Sequence, residues 1–324
     1  MKYFYALVPL TVLLSSIRLF GAVRAIEAIV FLAIIFSLVR LAKFSKVRTQ
    51  TFLVSITCLA MLTYLFVKSY SSLSKIIEHY QPESIFNLAA QSSVGKSFSD
   101  PIDTVSGIVI GTLNVLETCR KFNYKGRLFF ASSSEIFGNN ACGVDADCLK
   151  SPINTYGIAK KTSFELVKFY RELYNLKCVS GILFNHESHL RDKKFVIQKI
   201  IQGAKEISKN NRLKKLKVGN IEVIRDWGWA PEYMEGVQIM TSAKKLKDYV
   251  ICSGIPISLK KFIEKVFSYY NLNWTDHVEI DKTLFRDSDI MVSYGDPTSI
   301  NEELGWSAQI SMDTIIKNMI ELSE

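Results

Sequence analysis

Glycine is almost missing from the first seventy residues. Gly21 stands alone there, with one proline, Pro9, and one acid, Glu27. A G-x-x-G-x-x-G turn is therefore excluded from this segment. Residues 3–17 and 52–67 carry no charge and residues 25–39 carry only Glu27, while eight lysines and arginines flank these runs. Each run holds 15 or 16 residues, short of the ~20 that cross a bilayer comfortably. Buried parallel strands are also apolar, but they usually run about 4–8 residues and end at turn residues. Taken literally, the segment predicts a small membrane anchor of two or three short helices through residues 3–67, its basic residues at the water boundary. A cleaved leader accounts for the first run only.

Other absences narrow the chemistry. The six cysteines (Cys58, Cys119, Cys142, Cys148, Cys178, Cys252) form no C-x-x-C pair, so reduced thiols are expected. Of the four histidines, His186 and His189 are three apart with no further ligand beside them; no metal is predicted. The net charge of +9 is uneven, because beyond residue 70 there are 32 basic and 30 acidic residues. The positive excess lies among apolar runs and not among polar or aromatic residues, which argues against nucleic acid as a partner.

From Ser71 the texture changes. "SSLSKIIEHYQPE" has the spacing of an amphipathic helix ended by Gln81-Pro82, and "SIFNLAAQSS" (84–93) is a short strand running into small polar residues. "VIGTLNVLETCRKFN" is helical, "GRLFFASSSEIFG" (126–138) is a strand and polar turn, and "CVSGILFNHES" (178–188) is another strand and loop. Strands alternating with helices of this length imply βαβ units and a parallel sheet. Ligands of such sheets sit beyond the carboxyl ends of the strands. Asn87–Gln91, Ser132–Glu135 and Asn185–Glu187 all fall at such ends.

Between the second and third of these lies "SPINTYGIAKKTSFELVKFYREL", in which Tyr156 and Lys160 are four apart and share a helix face. A cationic lysine one turn away favours the phenolate, and a tyrosine so placed can take a proton from a hydroxyl as hydride leaves the same carbon. Alone, Y-x-x-x-K is equally a solvated helix pair, and "SSSE" (132–135) equally a helix cap.

Taken together, "IFNLAAQSSVGKSF", "ASSSEIFG", "GILFNHES", "FVIQKI", "GNIEVIRDWGWAPEYMEGV", "LFRDSDI" and "GDPTSINEELGW" resemble, in order and spacing, the GDP-mannose 4,6-dehydratases. These are extended short-chain dehydrogenases/reductases, and the likeness covers residues 71–324. It implies an α/β chain: a Rossmann-like parallel sheet with helices on both faces, occupying residues 71–180, and a smaller substrate lobe over 181–324. It also implies NADP as cofactor, GDP-mannose as substrate, a homo-oligomer and a cytoplasmic location. The implied catalytic set is Ser133, Glu135, Tyr156 and Lys160, with Ser133 where the family usually has threonine. Phe86, Asn87, Leu88, Ala89, Ala90, Lys160, His186 and Arg191 would hold the cofactor. Ser134, Asn185, Lys199, Arg225 and Arg286 would hold the substrate, the two arginines clamping its diphosphate. Trp227 and Trp306 are expected in the core.

The chain departs from the family at Ser93 (histidine there), Asp103 (tyrosine), Val109 (glycine), Ile197 (threonine) and Gln198 (arginine). Residues 1–70 depart throughout: the family's glycine-rich turn, the arginine for the 2′-phosphate and the first three strands are not spelled there. Equal length with unrelated letters points to a reading-frame slip. Without backbone amides at a helix N-terminus the cofactor pyrophosphate loses its seat, so the chain as written is expected to be inactive and its oligomer incomplete. The alternative expectation is a membrane-anchored sugar-nucleotide-binding module or scaffold.

Overall fold

The computed structural model describes residues 73–209, 215–285 and 288–322. Arg286 lies outside them, as does segment 1–70, on which the anchor and frame-slip expectations fall. Helix α1 (73–80) stops at Gln81, whose φ of 39° turns the chain ahead of Pro82. Strand β1 (Ser84–Asn87) leads through the short α2 (Val94–Ser99) into α3 (Pro101–Lys121), which contains a π turn at Ser106–Ile110. β2 (Arg127–Ser133) runs into a 3-10 turn, Ser134–Asn140, and then β3 (Cys142–Val144). α4 (Thr155–Tyr174), β4 (Cys178–Leu183) and β5 (Asn185–Glu187) follow. Next come α5 (Val196–Lys209), β6 (Leu216–Val218), β7 (Ile224–Trp229), α6 (Ala230–Ser242) and β8 (Tyr249–Ile251). The chain closes with β9 (Pro256–Ser258), α7 (Leu259–Tyr269), α8 (Trp274–His277), β10 (Val278–Ile280), β11 (Val292–Gly295), α9 (Thr298–Leu304) and α10 (Met312–Glu321).

The first sheet is wholly parallel, in the order β1-β2-β4-β8. Its middle strands are continuous apolar runs because both faces are covered: β4 is buried at all six positions and β2 at its five inner ones. Gly181 in β4 is required by this packing, since a Cβ there would lie 2.7 Å from the Phe129 ring of β2. Among the described residues β1 is the outermost strand on its side, and Phe86 on it is 44% exposed. The second sheet has the order β3-β11-β7-β5, with β9 antiparallel to β7, and β6 pairs separately with β10.

At Phe184 the backbone passes directly from one sheet to the other. The "CVSGILFNHES" run is not one strand but two: β4 belongs to the first sheet, Phe184 donates its N–H to Ile251 O (3.0 Å), and β5 then pairs with β7 of the second. The helix after β7 returns to the first sheet, where Tyr233, Val237 and Met240 pack with Phe129, Val179 and Trp306. A separate core lies under the second sheet. There Ile197, Ile200, Ile201, Ala204 and Ile207 form the buried stripe of α5 against Trp227, Phe262 and Ile316. This is a helical period, and each buried isoleucine contributes about 1.5–3 kcal/mol.

By length and composition, Pro101–Lys121 is the one helix among the described residues able to cross a membrane. Ile108, Leu116 and Cys119 on it are buried within this fold.

Gly181→Ala is expected to destabilise the chain by about 1–3 kcal/mol, because the new methyl meets Phe129 on one side and Ile251 at 3.3 Å on the other. Urea unfolding checks this as a lowered midpoint at unchanged slope.

Candidate active site

Two elements meet at the end of β2. Asn154 caps α4 by accepting the Gly157 N–H on Oδ1 (2.8 Å), and its Nδ2 donates to Glu135 Oε2 (2.7 Å). Gly157 lies so close to the turn that a Cβ would stand 2.6 Å from the Glu135 carbonyl oxygen. The first turn of α4 is thereby pressed onto the Ser133–Glu135 turn. Ser133 caps that turn, accepting the Glu135 N–H at 3.3 Å.

These contacts line one cavity of about 300 Å³. Ser133, Ser134, Glu135, Tyr156 and Lys160 face it, with Leu88, Ala90, Asn185, His186 and Arg191. Of the residues expected at the cofactor, Phe86, Asn87 and Ala89 sit on the same strand end without lining it; Ala89 instead donates its N–H to Asn87 Oδ1. A second cavity, about 340 Å³, is lined by Lys199 and Arg225 with Lys194, Asn220 and Trp227. Glu135, Asn185 and Arg191 belong to both walls.

Burial sets the electrostatics. The Tyr156 phenol is pushed up to about 12, chiefly by burial; a hydrogen bond with Ser133 and the Arg191 charge oppose this, while Glu135 adds to it. Burial draws Lys160 down to about 8. Its Nζ donates to Ala131 O at 2.7 Å and stands 5.1 and 5.7 Å from the Phe130 and Tyr156 ring centres. The cation opposing the phenol's rise is thus Arg191, where the Y-x-x-x-K spacing alone pointed to Lys160. His186 bonds Phe184 O through Nδ1 (2.8 Å), and burial lowers its pKa. Arg225 donates to Ile224 O (2.9 Å) at the lip of the second cavity.

The departures from the family are absorbed locally. Ser93 caps α2 through the Lys96 N–H (3.2 Å), Ile197 is core, and Gln198 is buried with its amide 3.4 Å from His189 O. Trp227 and Trp306 are both buried, Trp306 against Gly236 and Tyr233. Two residues escaped the sequence reading, and a third, Glu187, was placed at a strand end without a role. Asn154 carries the motif of an N-cap, which could have been found; that Glu187 and Lys194 line the second cavity depends on long-range packing and could not.

Residues 53–319 match the family model for GDP-mannose 4,6 dehydratase. The match begins inside the segment set apart by its composition and leaves residues 1–52 unmatched. The chain is 36% identical over 255 residues to GDP-mannose 4,6 dehydratase 1 of Arabidopsis thaliana, covering 78% of this chain and 70% of that protein. It is 32% identical over 269 residues to the GDP-mannose 4,6 dehydratase of Homo sapiens, covering 76% and 72%. Among solved structures, RMD from Pseudomonas aeruginosa complexed with NADPH superposes with a TM-score of 0.70 at 21% identity, covering 78% of this chain and 84% of that one. A dTDP-glucose 4,6-dehydratase from Bacillus anthracis, in complex with NAD, gives a TM-score of 0.68 at 16% identity, covering 78% of this chain and 76% of that one. These two show the Rossmann-like fold. None of these proteins is named as a membrane protein or scaffold, so the anchored alternative gains no support. The chain belongs to the GDP-mannose 4,6-dehydratase family.

Proposed function

We propose that this chain carries the proton-transfer set and substrate seat of a GDP-mannose 4,6-dehydratase, which forms GDP-4-keto-6-deoxymannose and water. The observation that carries the reading is the convergence of Ser133, Glu135, Tyr156 and Lys160 on one cavity that shares a wall with a second, cationic one. Tyr156 takes the proton of the C4 hydroxyl, and Ser133 donates a hydrogen bond to the same oxygen. The C4 ketone acidifies C5. Glu135, held by Asn154, removes the C5 proton and returns a proton to the C6 hydroxyl as it leaves as water. Lys194, Lys199 and Arg225 offer cations to the diphosphate. The five described cysteines are free thiols, which accords with a cytoplasmic location. We read the first sheet as the cofactor half and the second as the substrate lobe of each member of a homo-oligomer.

When bound, NADP would supply the hydride acceptor for C4 and the donor to C6, and the proton that Tyr156 takes up at the C4 step makes good the one C5 loses, so that ketone and water balance. The nicotinamide-ribose end of such a cofactor fits the residues present. Lys160 is a buried ammonium with Ala131 O as a hydrogen-bond partner, and Ser132 Oγ is buried with no partner among the described residues. Sugar hydroxyls are the groups that would satisfy both. Leu88, Ala90 and His186 supply the remaining wall. The pyrophosphate end does not fit the letters of residues 1–72, which hold one glycine.

The chain is therefore expected to bind GDP-mannose in calorimetry without added cofactor, and to turn it over only with NADP raised about 100-fold or more above the concentration a full relative needs. That factor follows from losing two or more charge-assisted hydrogen bonds of about 1.5–3 kcal/mol each. Turnover saturating at micromolar NADP would refute the weak seat; no GDP-mannose binding would refute the function.

Asn154→Asp keeps the cap of α4 but removes the donor to Glu135. Turnover at saturating NADP is expected to fall about 10–100-fold with stability within about 1 kcal/mol of the parent. Equal loss of turnover in a Glu135→Gln background would show that Asn154 acts elsewhere.

A further inference from the structure

Glu187, the last residue of β5, is 3% exposed and lines the second cavity. Its Oε2 stands 3.5 Å from Arg191 Nε without the alignment of a hydrogen bond, and neither atom has a hydrogen-bond partner among the described residues. Arg191 is held on two other sides. Its Cζ lies 3.9 Å over the Phe195 ring, and its Nη1 is 3.5 Å from His186 O. The same guanidinium lines both cavities, and its charge acts on the Tyr156 phenol.

We propose that Glu187 is a positioning residue for Arg191: it fixes the guanidinium in the wall the cavities share and, by its own protonation, sets how much positive charge that wall shows an anionic ligand. Arginine stays charged at all working pH values, so of the two partners only the carboxylate can change the sum. Ionised, it leaves the pair neutral; protonated, it leaves a full positive charge facing the cavities. Burial raises Glu187 to about 7, with Arg191 pulling the other way, which puts the change within the working range. The other charged or titratable groups around it are His186 and His189 on its own segment, Glu135 from the β2 turn, Lys194 and Lys199 at the start of α5, Arg225 on β7 and Asp289 before β11. Binding of a diphosphate should therefore take up a proton. The identity of that ligand rests on the function proposed above; the coupling of Glu187 to Arg191 does not.

Two measurements on the full chain test this separately. The first is thermal unfolding from pH 4 to 9 without ligand. A buried acid whose folded pKa is raised contributes stability that is complete below its ordinary value of about 4.3 and is lost as pH rises through about 7. The parent should show that loss, Glu187→Gln should lack it, and Arg191→Gln should shift it to higher pH, because the opposing charge is gone. Parallel curves for parent and Glu187→Gln, or an unmoved step in Arg191→Gln, overturn the proposal; should Glu187→Gln fail to fold, parent and Arg191→Gln still decide it. The second is GDP-mannose binding at pH 6 and 8. The parent should weaken by up to about tenfold per pH unit, the limit for one coupled proton, and Glu187→Gln should stay flat. The same weakening in Glu187→Gln overturns the proposal. If GDP-mannose binds no variant at either pH, the dehydratase reading fails while the unfolding curves still decide the role of Glu187.

Discussion

Everything at this site depends on how closely the first turn of α4 approaches the backbone of Glu135. With Gly157 at that contact there is no room for even a methyl group. The approach fixes Tyr156, which precedes the glycine, against the turn that follows β2. Asn154 closes the arrangement from the other side, since one amide both caps the helix and holds the Glu135 carboxylate. A carboxylate and a phenol from different elements thus keep one geometry with little freedom to lose. A larger residue at 157 would separate them without touching either.

Desolvation is the second constraint, and magnitudes show that it outweighs pairing. Lys160 falls from 10.5 to about 8 by burial, a differential of about 3 kcal/mol at 1.36 kcal/mol per pKa unit. An exposed ion pair is worth about 0.2–1 kcal/mol and could not produce it. The same force raises Tyr156 and Glu187. Charge is disfavoured at each of these positions until another charge arrives, which is the condition under which a bound ion or a migrating proton has most effect. From the wall the cavities share, Arg191 and Glu135 act on the phenol in opposite directions, Arg191 lowering its pKa and Glu135 raising it.

Much of this was legible in the letters. The apolar runs of β2 and β4, the Gln81-Pro82 stop and the Tyr156–Lys160 spacing each follow from local rules of period and turn chemistry. The strand-end rule drew attention to Ser132–Glu135, while the grouping of Ser133, Glu135, Tyr156 and Lys160 came from the family resemblance. What could not be read was long-range. "GILFNHES" changes sheets at Phe184, and nothing in its composition says that Leu183 and Asn185 pair with strands from different sheets. Glu187 comes to lie beside Arg191, and the three residues Asn185–Glu187, two half-buried and one buried, are too few to show a period that would reveal it. Likewise the spacing of Tyr156 and Lys160 says that they are neighbours on a helix. It does not say that Ala131 O, on another strand, takes the ammonium.

The two cavities are built by different elements: the second by β5, β7 and α5, the first by the end of β2 and by α4, with Glu135, Asn185 and Arg191 common to both. Each rests on its own buried core: one on Ile200, Phe262 and Trp227, the other on Phe129, Val179 and Tyr233. Among the described residues, both cores are built between Phe129 and Ile320. Backbone amides at a helix N-terminus serve to seat a pyrophosphate, whereas the contacts that hold the Glu135 turn against the first turn of α4 are made by Asn154 and Gly157.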